Sequence, residues 1–206
     1  MRKRISLPYD NIPIFTLKSI VLPGGLFPLR IFERRYIDMI TECVKEEKGF
    51  CIALIKTEEN NSYVTDIYEY GSFVKITDWS QLNDGLLGIT VEGKNIVKIL
   101  KSNLNDSGLL NGTIEYLESE KEYMIPQKYL ILSKFYRKIY PGIKNFIDFK
   151  EEKYADASWI GFRLTECLPL DLPTKASLIS IDNAIDRLEM INIIIHKLYK
   201  EEINQL

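Results

Sequence analysis

Side chains that carry chemistry are scarce in this chain of 206 residues: it has one histidine, His196, and three cysteines, Cys43, Cys51 and Cys167. A single imidazole leaves no histidine pair for a zinc site, and a Cys–His nucleophile pair would need a long-range contact that no motif announces. No metal or other cofactor is therefore expected. No Cys-x-x-Cys occurs, and the odd number of thiols leaves one unpaired in any disulfide scheme, which fits a reducing compartment. Long hydrophobic runs are also missing: nothing approaches the roughly 18 apolar residues of a membrane span. The N-terminal "ISLPYDNIPIF" interrupts a signal-peptide core with proline, aspartate and asparagine, and the tail "YKEEINQL" holds no targeting signal, so the expected location is the cytoplasm. Neither sign of charge dominates. With 27 basic and 29 acidic residues and a formal net charge of −2, no global basic field draws the chain to nucleic acid or to an anionic membrane. Two local basic groups, Arg2-Lys3-Arg4 and Arg34-Arg35, read as solvated surface.

One stretch imitates a nucleotide site. "GITVEGKN", residues 88–95, has glycine, four residues, then glycine and lysine. A phosphate-cradling loop requires Ser or Thr next, because that hydroxyl holds magnesium, and Asn95 stands there instead. Ile89, Thr90, Val91 and Glu92 alternate as a strand does, so the expectation is a strand entering a tight turn at Gly93-Lys94. Gly24-Gly25 after Pro23 is a turn signature as well. Carboxylates crowd residues 148–156 and 182–189, but acid pairs for catalysis are defined by geometry, and on helices these read as caps and solvated faces.

The hydrophobic period divides the chain. Up to about residue 117 it is mostly two. "IPIFTL" is a short strand that Pro13 confines to an edge or a strand start, and "FCIALIK" has the length of a buried strand. "GSFVKITDW", "LLGITVEG", "NIVKILKS" and "LLNGTIEYLE" follow, separated by Asn83-Asp84-Gly85, by Gly93 and by "NDSG". Short turns between consecutive strands imply antiparallel pairing and a barrel-like sheet. One helix interrupts, over residues 33–45, with Tyr36, Ile37, Ile40, Cys43 and Val44 on its apolar face. After "ESEKE" (118–122) the period becomes 3.6. Helices are expected from Pro126 to just before Pro141, from about 151 or 155 through Cys167, from near Pro173, and finally after Asp182 as N-cap. The last carries a stripe of Ile185, Leu188, Ile191, Ile195 and Leu198 that reads as core. His196 lies near its C-terminus, where a positive charge is favourable. The class is α+β, with one unit over residues 1–118 and a second over 119–206.

Residues 12–39, "IPIFTLKSIVLPGGLFPLRIFERRYIDM", resemble the opening of the N-terminal substrate-binding domain of ATP-dependent Lon proteases. That family begins with an apolar-Pro-apolar-Phe-x-Leu strand, a Pro-Gly turn, and Pro-Leu-x-Ile-Phe-Glu-x-Arg-Tyr at the start of a helix. "DGLLGITVEGKNIVKI" and "ASWIGFRLTECLPLDLPTKASLISIDNAIDRLEMI" resemble later elements, with Arg163-Leu164 and Leu168-Pro169 in matching places. Leu22 replaces the phenylalanine usual before the turn, and the arginine often found after the second glycine turn is replaced around Asn95 and Ile96. The resemblance implies a PUA-like antiparallel, barrel-like domain with one inserted helix followed by a C-terminal helical bundle, without an ATPase or a Ser-Lys protease module.

The resemblance further implies a non-catalytic module for unfolded or exposed polypeptide segments, with a role in protein quality control and a full-length Lon protease as a candidate partner. Phe27, Leu29, Phe32, Tyr36 and Trp79 are the candidate contacts; the competing reading makes them core, where large apolar residues usually lie. PUA-like domains also occur in RNA-modifying proteins, but the acidic balance argues against nucleic acid. A pocket between sheet and helices could take a small ligand, although no nucleophile, base or metal set can be named for it.

Overall fold

The computed structural model describes residues 3, 5, 7–56 and 66–203. Arg2 and Arg4 of the basic cluster and the last three residues of the tail lie outside them. The strands are β1 (Tyr9–Leu17), β2 (Gly25–Ile31), β3 (Phe50–Ile55), β4 (Ile67–Gln81), β5 (Leu87–Leu104), β6 (Leu110–Tyr116) and β7 (Asp148–Phe149). They form one sheet in the order β4-β3-β1-β6-β5-β2-β7, and β4 also pairs with β5. The pairings of β1, β3, β4, β5 and β6 therefore close on themselves in a ring. Every pairing is antiparallel except β1 with β3, which run parallel. That exception corrects the expectation of antiparallel neighbours throughout. Helix α1 (Arg34–Lys45) lies with β2 between β1 and β3, and such a crossover brings the chain back in the same direction.

Two further corrections concern special residues. Gly93-Lys94 is no hairpin turn: β5 runs straight through it as an 18-residue strand. The register with β4 slips there, Phe73 facing Asn95 and Val74 facing Gly93, so Lys94 is the extra residue of a β-bulge. Glycine is needed because the turn before β2 lies directly on it: Gly24 N donates to Gly93 O at 2.9 Å, and a Cβ on Gly93 would lie 2.6 Å from the Leu22 carbonyl carbon. Pro13, for its part, sits inside the sheet. It pairs with Asn111 of β6, while the β3 register begins only at Ile14. Asn105 N donates to Leu109 O at 2.9 Å, so by alternation Asn111 turns its backbone toward β5 and Pro13 needs no N–H on the β6 side.

Three apolar clusters fill the molecule. Ile14, Cys51, Ala53, Val97, Ile99, Leu110 and Ile114 pack within the ring of strands. Across the sheet lies a larger cluster holding Phe15, Leu22, Ile31, Phe50, Val74 and Val91 with Tyr36, Met39, Ile40 and Cys43 of α1. The buried face of α1 is centred on those four, and Val44, expected on it, is exposed. All three cysteines are free, and burial raises their thiols, Cys43 to about 11 and Cys51 and Cys167 to about 12.

A third cluster belongs to α2 (Leu130–Ile143), α3 (Ala157–Cys167), α4 (Leu172–Ser180), α5 (Ala184–Leu198) and α6 (Lys200–Ile203). Helix α2 continues past the expected stop, with Pro141 inside its last turn. A proline two residues from a helix end removes a single bond, and Lys144 N still donates to Tyr140 O at 3.0 Å. Asn183, not Asp182, caps α5 by accepting from Ile185 N at 2.7 Å. Of the α5 stripe, Leu188, Ile191 and Ile195 are fully buried, Ile185 is half-buried and Leu198 is exposed. His196 is exposed too, its Nδ1 2.8 Å from Asn192 O.

The helices also reach the sheet. Phe162 and Ile179 belong to the cluster beneath α1, and β7 pairs with β2. A buried ion pair joins α3 to the turn before β2: Arg163 Nε lies 2.7 Å from Glu166 Oε2, Leu22 N donates to Glu166 Oε1 at 2.5 Å, and Arg163 Nη2 donates to Leu22 O at 3.2 Å. A second cation, the fully buried Arg187, holds Glu120 of the intervening segment (Nη1 to Oε2, 2.9 Å) and the Ile181 carbonyl at 2.7 Å. One partnerless charge in either group would cost several kcal/mol, on the order of 3 to 5, so the first group fixes α3 against the turn before β2 and the second ties α5 to the segment that follows β6.

Candidate functional site

The open side of the molecule is set by where the strands stop pairing. β1 pairs with β6 only as far as Ile14, whereas it continues along β3 to Leu17. β2 pairs with β5 along residues 26–31, but β7 covers it only at Gly25 and Leu26. The C-terminal ends of both strands thus border a groove, and α1, starting three residues after β2, forms another wall. The groove has a volume of about 590 Å³. Phe15, Leu17, Leu29, Ile31, Tyr36 and Ile55 supply its apolar lining.

Local packing makes the floor rigid. The Phe15 and Tyr36 rings lie 4.2 Å apart between centroids, and the Tyr36 hydroxyl is 3.3 Å from Thr16 Oγ1. Phe32 stands at the lip, 69 % exposed, because it falls between the end of β2 and the first turn of α1 and belongs to neither buried face. The charged rim is cationic: Lys18, Arg30 and Arg35 against Glu33. Arg35 corrects the reading of a wholly solvated basic pair. Its side chain is largely covered, bound to Glu33 at 2.7 Å and donating to Gly108 O at 2.8 Å. Arg30 is exposed and pairs with Asp84.

A second cleft, of about 380 Å³, lies between the sheet and the helices. It is acidic, with Glu92, Glu118, Glu120, Glu122, Glu151 and Asp156 against Lys150 and Lys153. Most of its carboxylates are already engaged. Glu92 binds both Lys94 and Lys150 at 2.6 Å, Asp156 caps α3 through Ser158 N and Trp159 N, and Glu120 holds Arg187. Among the described residues, no group of His, Cys, Asp and Glu has the arrangement of a metal site.

Of the five residues singled out in the sequence, three meet in the groove: Leu29 and Tyr36 in its floor and Phe32 at its lip. Phe27 faces Val91 across the β2–β5 pairing and is partly buried against the core beneath α1. Trp79 lies apart. It is 60 % exposed beside Val44, Lys48 and Lys75 in a separate depression. Phe15, Leu17, Ile55 and Arg30 were not foreseen; their pattern is that of ordinary strand residues, and only the meeting of strand ends brings them together.

Comparison with known proteins bears on this geometry. A family model described as the ATP-dependent protease La (LON) substrate-binding domain matches residues 11–197. A crystal structure of a Lon N-terminal domain protein from Xanthomonas campestris is similar at 28 % identity and a TM-score of 0.72, covering 90 % of this chain and 98 % of that one. The N-terminal domain of a Mycobacterium avium complex Lon protease shares the fold, with a TM-score of 0.56 at 15 % identity, over 88 % of this chain and 96 % of that one. A Lon protease from Buchnera aphidicola is 26 % identical over 88 % of the chain and 24 % of its own length. A LON peptidase N-terminal domain and RING finger protein from Schizosaccharomyces pombe is 25 % identical over 87 % of the chain and 44 % of its own length. The chain thus spans less than half of the length of these two curated relatives.

Proposed function

The chain belongs to the ATP-dependent protease La (LON) substrate-binding domain family, and from that premise we propose that it is a non-catalytic module that holds exposed polypeptide segments in the groove beside β2. The observation that carries the reading is Phe32. A large aromatic side chain stands in solvent at the lip of an apolar groove, within the very segment, residues 12–39, that carries the family pattern. Exposed aromatics beside a concave apolar surface are what a binding site needs and a core does not. The ring of strands fits a PUA-like barrel, and the division into a unit over 1–118 and a helical bundle over 119–206 belongs to the same proposal. So do a cytoplasmic role in protein quality control and cooperation with a full-length Lon protease.

The test is fluorescence anisotropy with a labelled, unfolded apolar peptide. Covering the Phe32 ring is worth about 1.5 to 3 kcal/mol, so Phe32→Ser should weaken binding by roughly 10-fold or more. Trp79→Ser, in its separate depression, should leave binding unchanged. No saturable binding, or equal binding by wild type and Phe32→Ser, overturns the assignment to this groove.

A further inference from the structure

Resting on that reading, we infer that the groove takes its polypeptide as a short extended strand added to the open edge of β2, and that it selects segments with acidic residues beside the apolar ones. The edge follows from hydrogen-bond parity. At the tip of the β4–β5 hairpin Leu82 N donates to Leu86 O at 2.8 Å. Antiparallel pairs alternate between bonded and non-bonded, so Gly88 and Thr90 direct their backbone groups to β4, and Leu87, Ile89 and Val91 direct theirs to β2. Their partners on β2 are Ile31, Leu29 and Phe27. Leu26, Pro28 and Arg30 must then point outward. β7 takes up Leu26, opposite Asp148, and no strand pairs with Pro28 or Arg30 on that side among the described residues. Pro28 has no N–H to offer, so the free edge consists of the Pro28 carbonyl and the Arg30 amide and carbonyl. That is enough for one short segment and too little to template an open-ended stack of strands.

The same residues border the groove. Arg30 lies between Leu29 and Ile31, whose side chains turn to the opposite face and help line the cavity, with Phe32 next in the chain. A strand laid along Arg30 would direct alternate side chains toward that apolar lining. Charge identifies the occupant. The chain as a whole carries a formal charge of −2, yet this rim holds Lys18, Arg30 and Arg35 against Glu33 and Asp84, the partners of Arg35 and Arg30, and keeps a positive balance, while the cleft between sheet and helices is strongly acidic. A segment of alternating apolar residues flanked by aspartate or glutamate complements the rim; a lysine-flanked one does not.

Four labelled peptides test this by anisotropy at low and moderate salt: an apolar centre of valine, phenylalanine and leucine flanked by aspartates, the same centre flanked by lysines, and two copies of the first N-methylated at odd or at even positions. The aspartate peptide should bind more tightly than the lysine peptide, and Arg30→Glu, a change at an exposed side chain, should reverse the preference. One N-methylated copy should lose about tenfold or more while the other retains binding, because only alternate amides face the edge. Binding of all four with equal affinity overturns the inference and leaves the polypeptide-binding reading standing. Binding of none overturns both. Sedimentation showing that the β2 edge pairs with a second copy of the chain, in competition with peptide, also overturns it.

Discussion

Gly93→Ala tests whether a close approach of two backbones fixes this glycine. The added Cβ would lie 2.6 Å from the carbonyl carbon of Leu22 and 3.2 Å from Pro23 N, with the Leu22 oxygen closer still. All three are main-chain atoms that cannot rotate away, so relief requires the turn before β2 to lift from β5 by about 1 Å in a close-packed interior. Lifting it breaks the bond from Gly24 N to Gly93 O, worth about 1 kcal/mol. It also pulls Leu22 off α3, where its N–H donates to Glu166 and its carbonyl accepts from Arg163. Each charge-assisted bond is worth about 1.5 to 3 kcal/mol, and a partial loss of both brings the expected cost to about 3 to 5 kcal/mol, in the exceptional range for one substitution. Urea denaturation followed by far-UV circular dichroism measures it, with Gly85→Ala as reference. Gly85 has φ +83° and nothing within 4 Å of a Cβ, so that change carries only the left-handed penalty of about 1 to 2 kcal/mol. If Gly93→Ala costs no more than Gly85→Ala, backbone contact is not what requires glycine in "GITVEGKN".

Three further outcomes are expected. Burial raises the Glu166 carboxyl to about 7, against the opposing pull of Arg163 and the Leu22 amide. A folded pKa above the unfolded value of about 4.3 means a contribution to stability that is complete below that value and withdrawn as pH rises through 7. Glu166→Gln cannot titrate and should flatten this part of the stability profile in urea titrations run from about pH 4 to pH 8; an unchanged slope refutes the assignment. Gly142→Ala, within α2 and with no atom within 4 Å of the new Cβ, should stabilise by about 0.5 to 1 kcal/mol and raise Tm by roughly 1 to 4 °C, and a fall in Tm would contradict the helical environment. Asp156→Ala removes the acceptor for Ser158 N and Trp159 N, both at 3.2 Å, and should cost about 0.5 to 2 kcal/mol by denaturant titration, with no loss counting against the cap.

The features readable in the sequence were those with a local cause. Period and prolines located the helices: α4 begins beside Pro173, which lies in its first turn, and Asp171 caps it by accepting from Thr174 N at 2.9 Å. The turn at "NDSG" is held by Asn105 Oδ1, which accepts from Ser107 N and Leu109 N. Errors arose where a distant contact decides between two structures with one local signature. A glycine between alternating runs marks either a hairpin or a bulge, and what selects the bulge is Leu22, far away in the chain. Pro13 fits an interior strand because the ladder on one side begins a residue later, which no composition rule reveals.

The candidate site divides along the same line. Leu29, Phe32 and Tyr36 share the groove and also lie within one contiguous sequence pattern. Trp79 was not separable from them: it pairs with Ile89, which pairs in turn with Leu29, so one row across three strands holds two buried residues and one exposed. Its exposure is therefore not decided by its position in that row. For Arg30 the alternation of strands says only that the side chain points outward, and solvated surface is the ordinary conclusion. Its backbone is what distinguishes it, since β7 stops at Leu26 and leaves the following edge uncovered. A two-residue strand lying between α2 and α3 therefore sets where the groove begins, so the uncovered edge of β2 depends on residues far away in the chain.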